Sequence, residues 1–521
     1  MSSSVPWYGQ NGARLAFSAS GGAEGPAVLD KPGRKSRFVL KEPLSLKDNL
    51  ALRVEMECAS GNLEIGMRLA DEKNRVTDMT FSLPAGGVYA FVLKPPQLSL
   101  LKWAEFHILK APSPSAEAAA PLVRIRDLRM VPQTRGFAME SGVLELSSHV
   151  VFDRKNGAST IRIEDPFPLA KGMEKAQTQI LEIKVKGPSQ IMKLTWGSRD
   201  LRIRTRTGAS EFLIPASFME PNPAGIALQV PAGIEVVQFR TRTLSEANFL
   251  PKVDPGIFVF HAPLGDAPYA VARWDVNPDV LIFLFRDYAV QDRYLKRLAF
   301  FVEKIGFVGT LATDAQIANL HGWNAHDYKA EDLARFFDKA SRTGFPLSNE
   351  EIELRDFLIE KEIIAREGRA FRSLGGAIVA ISQESPAYLQ QRFLTHELSH
   401  ALFFTDPGYR DLALALWGHL SEEERWFPLR YFRWMAYDVQ SEMLMANEMQ
   451  AYLVQQPLRD LPAYFSKTLA LRLEEDHPEL KPQIEEYMKK HLPAIVNVAR
   501  QLAAYLNNAL DLEPGRLFRI Y

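Results

Sequence analysis

Cysteine is almost missing from this chain: Cys58 stands alone among 521 residues. That excludes an intrachain disulfide, and with it any zinc cluster built from thiolates. Cys58 falls in an alternating run with Leu52, Val54 and Met56, where a lone thiol is expected to act as a small buried hydrophobe. An excess of either charge is also absent. The net charge is −1 and no long basic tract occurs, so no nucleic-acid partner is expected. No apolar run reaches the roughly 18 residues that a membrane-spanning helix needs. The opening Met1-Ser2-Ser3-Ser4-Val5-Pro6-Trp7 carries neither the basic nor the apolar region of an export signal.

What is there suffices for several cores. Apolar residues make up 46% of the chain and 31 of them are Phe, while the charged fraction of 24% is ordinary for a folded protein. The length exceeds one ordinary domain and suggests about three. Residues 1–133 read as an all-β, jelly-roll-like sandwich module. Short alternating runs recur at Arg37–Leu40, Leu50–Glu57, Leu63–Leu69, Thr77–Leu83, Val88–Leu93 and Trp103–Leu109. The Ala/Pro/Ser stretch Ala111–Pro121 is expected to be a surface loop before a last strand near Leu122–Val131. Residues 134–255 read as a second β-sandwich-like module, with strands near Gly142–Leu146, Ser159–Ile163, Ile180–Val185, Ile191–Trp196, Leu201–Thr205 and Ile234–Arg242. Residues 256–521 change texture. Val280–Phe285 is a continuous apolar run, expected to be a buried strand. Helical spacing follows in Tyr288–Lys304, Lys329–Ala340 and Ser348–Arg366, the last with a Ser348/Glu351 capping box. After Pro386 the pattern is mainly helical to a final amphipathic segment, Ala494–Leu510.

The chemistry sits in Arg392-Phe-Leu-Thr-His-Glu-Leu-Ser-His-Ala-Leu-Phe-Phe404. His396 and His400 are four apart, so on a helix they share one face and can meet one divalent ion. Glu397, beside the first histidine, is placed to act as a general base without ligating. The flanking Phe393, Leu394, Leu398, Ala401, Leu402, Phe403 and Phe404 mark a core helix. Two imidazoles and a carboxylate in such a setting need a partner, and a metal supplies one.

This His-Glu-x-x-His segment resembles the zincin metallopeptidases. In that family an edge strand precedes the active-site helix and pairs with extended substrate; the resemblance assigns that role to residues 377–382, with Ala377 and Val379 as substrate-binding positions. A third protein ligand is required. The metzincin pattern fails, because no His follows until His419. The gluzincin pattern puts a Glu on a later helix, here expected over Tyr437–Val454, which contains Glu442 and Glu448. The segment Asn447-Glu448-Met449-Gln450-Ala451-Tyr452 is similar to the Asn-Glu segment of that group and makes Glu448 the preferred ligand. An acidic residue four positions later, present in some gluzincins, is replaced by Tyr452. The partner orienting His396 is left open between Asp438 and Asp406. The resemblance thus implies an α+β, zincin-like and mainly helical catalytic domain behind two β modules. It implies Zn2+ as cofactor, a peptide or protein substrate, and Tyr452, Tyr437, His326 or His419 as oxyanion donor. The cluster His321-Gly-Trp-Asn-Ala-His326-Asp-Tyr328 reads either as a pocket loop or as a capped surface loop. The β modules suggest a glycan or cell-envelope ligand and an envelope or extracellular site of action, with the cytoplasm as the alternative. A non-enzymatic binding protein on a zincin-like scaffold is the competing expectation.

Overall fold

The computed structural model describes residues 4–8, 14–20, 28–30, 35–45, 50–59, 63–83, 86–93, 100–111, 123–132, 134–147, 150–155, 158–164, 166–167, 178–219, 223–244, 250–262 and 264–521. The expected loop at Ala111–Pro121 lies outside them beyond Ala111. The chain divides into two compact units, Met1–Phe249 and Leu250–Tyr521. Among the described residues no helix is long and apolar enough to cross a membrane.

The first unit is β-rich throughout. Alternation puts Leu52, Val54, Met56 and Cys58 on one face of the Leu50–Cys58 strand, and all four are buried. They share a core with Leu63, Ile65, Met67 and Leu69 of Leu63–Ala70 and with Phe106 of Leu100–Lys110. Those partner strands belong to a six-stranded sheet, while Leu50–Cys58 belongs to a nine-stranded one, so the two sheets pack face to face. The boundary expected at residue 133 falls inside this unit. The nine-stranded sheet crosses it, because Val143–Ser147 pairs in parallel with Gly87–Leu93. Ion pairs reinforce the crossing: Glu145 takes Arg53 at 3.0 Å from one side and Arg240 at 3.6 Å from the other. A third, five-stranded sheet holds Val150–Lys155, Ala158–Glu164, Gly225–Val230, Ile191–Trp196 and Arg199–Arg204.

The second unit is built on a five-stranded sheet in the order Lys252–Val253, Tyr269–Trp274, Val280–Phe285, Ala377–Ser382, Ala325–Lys329. Val280–Phe285 is buried at every residue, as its unbroken apolar run predicts, and pairs in parallel with Ala377–Ser382. Leu281, Phe283, Ile378, Ala380 and Tyr328 face a core shared with the helices Tyr288–Glu303, Ala330–Thr343 and Asn349–Glu360. The Ser348/Glu351 capping box is formed, but that helix stops at Glu360; Ile364–Glu367 turns into a small hairpin with Ala370–Ser373. The helix Ala387–Thr405, which carries the motif, lies against Ala377–Ser382 and Ala325–Lys329. Behind it come Pro407–His419, Glu422–Trp434 and Glu442–Val454, the last beginning five residues later than the expected Tyr437. The final helix spans Leu492–Tyr505, closed by a π-turn at Leu506–Leu510.

One expectation is overturned. Ala377–Ser382 is an interior strand, hydrogen-bonded on both sides, and all six of its residues are buried. Ala377 and Val379 therefore have no unpaired edge to offer a substrate. The edge strand is Ala325–Lys329, antiparallel to it, with Ala325 opposite Ile381 and Lys329 opposite Ala377.

A buried ion pair ties the sheet's helices together. Arg297 Nε donates to Glu351 Oε1 at 2.8 Å, with both side chains about 5% exposed. Removing the carboxylate takes away the buried counter-charge and leaves Arg297 the Ala312 carbonyl and the exposed Asp314; breaking a buried pair costs up to about 3–5 kcal/mol. Glu351→Ala is expected to lower the urea midpoint of the second unit accordingly; a change below about 0.5 kcal/mol, within the range of neutral surface substitutions, would show that Arg297 is satisfied by its other partners.

Candidate metal centre

The motif helix is apolar on most of its surface, with Leu394, Leu398, Ala401 and Leu402 fully buried. This burial anchors it to the sheet and forces His396, Glu397 and His400 inward. His400 is 3% exposed and Glu397 8%. The four-residue spacing brings His396 Nε2 within 3.1 Å of His400 Nε2. Two nitrogens bound tetrahedrally to one zinc ion would lie about 3.3 Å apart, close to that separation.

The later helix Glu442–Val454 crosses the motif helix and delivers Glu448. Glu448 Oε1 lies 3.9 Å from His400 Nε2. One ligand atom each from His396, His400 and Glu448 falls within 4.8 Å of the others, so the three form a group that could hold a metal ion. Glu448 Oε2 is buried without a hydrogen-bond partner, a costly state for a carboxylate oxygen unless a cation meets it. Two imidazoles and one carboxylate are a donor set suited to zinc and to other borderline divalent ions. Glu442 is placed elsewhere: it opens the helix, its side chain is 69% exposed, and it accepts from Trp417 Nε1 at 2.5 Å and pairs with Arg425 at 3.2 Å.

His400 is oriented from behind. Its Nδ1 donates to Asn447 Oδ1 at 2.9 Å, which leaves the Nε2 lone pair directed to the centre. Gln450 Nε2 donates to the same oxygen at 3.2 Å, and Tyr409 Oη donates to Gln450 Oε1 at 2.7 Å. All four side chains are buried. Behind His396 the Gln455 side chain lies near enough to act on the ring, but the buried Nδ1 makes no hydrogen bond. Neither Asp438 nor Asp406 does that work: Asp438 accepts from the Gln440 amide, and Asp406 caps the next helix and accepts from Tyr505.

Tyr452 lies beside the centre, its ring edge-on to His396 at 5.3 Å between centroids. Tyr437 faces Glu448 and is hydrogen-bonded to it, on a connection whose Ala436 adopts φ 64°. His419 is exposed at the end of its helix. His326 is buried on the same side of the edge strand as Tyr328, whose hydroxyl meets its Nδ1 at 2.8 Å. That face packs on the helical core, away from the motif helix. The expected loop around His326 is thus an edge strand at its centre. Alternation turns Asp327 the other way, beside Glu397 and His400. Sequence reading passed over Asp327; its signal was the short Ala-His-Asp-Tyr-Lys segment, in which alternation separates it from the Tyr328 face.

Burial dominates the electrostatics. It holds His396 well below the ordinary imidazole range, with His400 adding to the effect. In His400 burial acts downward, but Asp327 and Glu448 outweigh it and the net shift is upward. Glu397 is pushed well above the carboxylate range by burial and then by Asp327. Burial raises Glu448 from about 4.5 to about 7; His400 opposes the rise and Asp327 adds to it. Burial also depresses His326 to about 3, with Lys304 contributing.

No family model matches the chain, and no curated protein does. Solved structures with partial likeness include Sulfolobus turreted icosahedral virus, at 10% identity over 48% of this chain and 60% of that one, TM-score 0.19. A xanthan lyase from Paenibacillus has 8% identity over 46% and 25%, TM-score 0.13. A beta-porphyranase of glycoside hydrolase family 86 from Bacteroides plebeius has 7% identity over 45% and 39%, TM-score 0.14. The chain spans about 60% of the length of the first of these. Scores this low carry no argument about fold or function.

Two outcomes are expected. Asn447→Ala should weaken zinc affinity about ten- to a hundredfold, the usual effect of losing the partner behind a ligating histidine, while Glu442→Ala leaves it unchanged. Competition with a chromophoric chelator measures both, and the reverse order would make Glu442 the ligand. The second concerns pH. A carboxyl whose folded value is raised stabilises the fold while protonated, below its ordinary value near 4.5, and that contribution disappears as pH rises through about 7. His396 and His326, both shifted downward, act in the opposite sense below about pH 6.5, so the Glu448 contribution is read against Glu448→Gln: between pH 5 and pH 8 the melting temperature of metal-stripped parent should fall relative to that of the variant. Parallel profiles of the stripped parent and Glu448→Gln would contradict the upward shift of Glu448.

Proposed function

We propose that the second unit is a zinc-dependent peptidase of gluzincin type, with His396, His400 and Glu448 as ligands and Glu397 as general base. The observation that carries this reading is the convergence of the three ligand atoms within 4.8 Å, with Glu397 adjoining them on the same helix. When bound, zinc supplies Lewis acidity, lowering the pKa of water and polarising a carbonyl.

The chain's own groups do the rest. Glu397 accepts a proton from the attacking water and returns it to the departing amine. Burial and then Asp327 push this carboxyl upward, which strengthens it as a base. Asn447 holds His400 in the tautomer that leaves Nε2 available. Tyr437 and Tyr452, both beside the ligands, are the hydroxyl donors best placed to meet negative charge on a substrate oxygen. An extended polypeptide suits the outer side of Ala325–Lys329, where no other described strand pairs. Strand addition there needs only main-chain hydrogen bonds, which favours a polypeptide over a small molecule.

The test is Glu397→Gln, which preserves shape and removes the base. Turnover of a broad peptide library should fall about a hundred- to ten-thousandfold while one equivalent of zinc stays bound. Parental activity in this variant would rule out the assigned base. A parent protein that holds zinc but cleaves no library member would rule out the peptidase reading.

A further inference from the structure

Beyond His396 the surroundings of the centre change sign. Arg392 precedes His396 by four residues on the motif helix, so the two share a face about one turn, roughly 5.4 Å, apart. Its guanidinium lies over the Tyr464 ring, 5.9 Å from the centroid. A second guanidinium, Arg472 of the helix Ala470–Asp476, lies beside the Tyr431 hydroxyl and bears also on those of Tyr464 and Tyr452. These tyrosines are continuous with the metal centre. Tyr452 stands 5.3 Å from the His396 ring and 5.8 Å from the Tyr431 ring, and Gln455, behind His396, donates to the Tyr464 hydroxyl at 2.9 Å. Among the described residues neither arginine has a carboxylate partner. Asp476, four residues after Arg472 on its helix, accepts instead from Trp434 Nε1 at 2.9 Å. Arg392 is half-buried and Arg472 exposed, so both are open to a ligand from solvent. A guanidinium is always charged, and two of them acting on the same Tyr464 hydroxyl without a counter-charge call for an anion.

We propose that Arg392 and Arg472 form a carboxylate-binding subsite beside the metal centre, which selects peptides carrying a carboxylate within one or two residues of the cleaved bond. An extended chain advances about 3.3 Å per residue, so one turn along the motif helix corresponds to one or two residues of substrate. Guanidinium groups match a carboxylate through paired N–H donors, and the tyrosine rings beside them keep water from one side of the contact. The carboxylate is either the substrate's chain terminus or an Asp or Glu side chain, since both present the same planar pair of oxygens. The binding of a carboxylate stands on the arginines alone; the selection of a cleaved bond rests on the peptidase reading.

The experiment compares matched peptides as substrates of zinc-loaded full-length protein. One set carries Asp or Glu against Asn or Gln within two residues of the cleaved bond, and the other a free against an amidated C-terminus. The parent should favour the acid member of at least one set by about ten- to a hundredfold in kcat/KM, the worth of a hydrogen bond to a charged group. The set that shows the preference identifies the source, side chain or chain terminus. Arg392→Gln and Arg472→Gln should each lower the acid-to-neutral ratio at least tenfold with one equivalent of zinc still bound; a merely structural arginine would lower both members together and leave the ratio unchanged. A parent without preference in either set overturns the inference. So does a preference that survives both variants, which would put the carboxylate on the metal instead. If one variant does not fold, the parental preference and the other variant decide. Should no peptide be cleaved, calorimetry with the same peptides decides: tighter binding of the acid member, lost in the arginine variants, would uphold the subsite and defeat only the peptidase reading, and equal affinities would defeat both.

Discussion

Buried charge needs compensation, and the second unit is organised around that demand. Glu397, His400 and Glu448 are each less than a tenth exposed and lie among Asp327 and Glu303, with little positive charge of the protein's own nearby. Left alone, such a group lowers its charge by taking up protons, which is the direction in which Glu397 and Glu448 are pushed. A divalent cation removes the same conflict without protons. The orphaned Glu448 Oε2 and the two facing imidazole nitrogens thus have one origin, a space whose chemistry suits a cation.

Holding those groups in register falls to apolar packing and to one string of hydrogen bonds. The sheet presents Ala377–Ser382 as a fully buried platform, and the motif helix lies on it through residues that never see solvent. The string Tyr409, Gln450, Asn447, His400 then ties the helix that follows the motif helix to the one that carries Glu448. Every member is buried, so losing one leaves its neighbour unpaired in a poor dielectric. Metal affinity and local stability are therefore coupled through the same residues. The charge ladder in the first unit, where Glu145 joins Arg53 to Arg240, is also a polar network linking distant segments, but it serves the sheet alone.

Local pattern made the motif legible. A four-residue spacing on an apolar helix placed His396 and His400 on one face, and the Asn-Glu pair pointed to Glu448 over the exposed Glu442. Most strands of the first unit also lie where alternation puts them. Pairing was not legible, because it depends on segments far apart in the chain. Nothing local tells Val143–Ser147 to pair with Gly87–Leu93, so residue 133 resembled a boundary between modules. Ala377–Ser382 resembled an edge because it precedes the motif, although a strand apolar on both faces belongs inside a sheet. The true edge, Ala325–Lys329, is short and polar and therefore resembled a loop. Asp327 was hidden with it, since its role follows from which face of that strand meets the motif helix.

The motif helix also shows how structural and chemical polar residues differ within a single element. Thr395 and Ser399 are completely buried, yet each is satisfied within its own helix: Thr395 Oγ1 donates to Gln391 O at 2.8 Å, and Ser399 Oγ donates to His396 O at 2.6 Å. They ask nothing of their surroundings. His396, Glu397 and His400 have side chains too long or too rigid to bond back in this way, so their polar atoms project beyond the helix and must be met from elsewhere. Asn447 meets His400 and Asp327 touches Glu397, while the buried Nδ1 of His396 finds no hydrogen-bond partner. The Nε2 atoms of His396 and His400 face each other at 3.1 Å, with the Glu397 carboxylate within 4.8 Å of the His400 ring, and that convergence sets the stripe 396, 397, 400 apart from the buried stripe 395, 399.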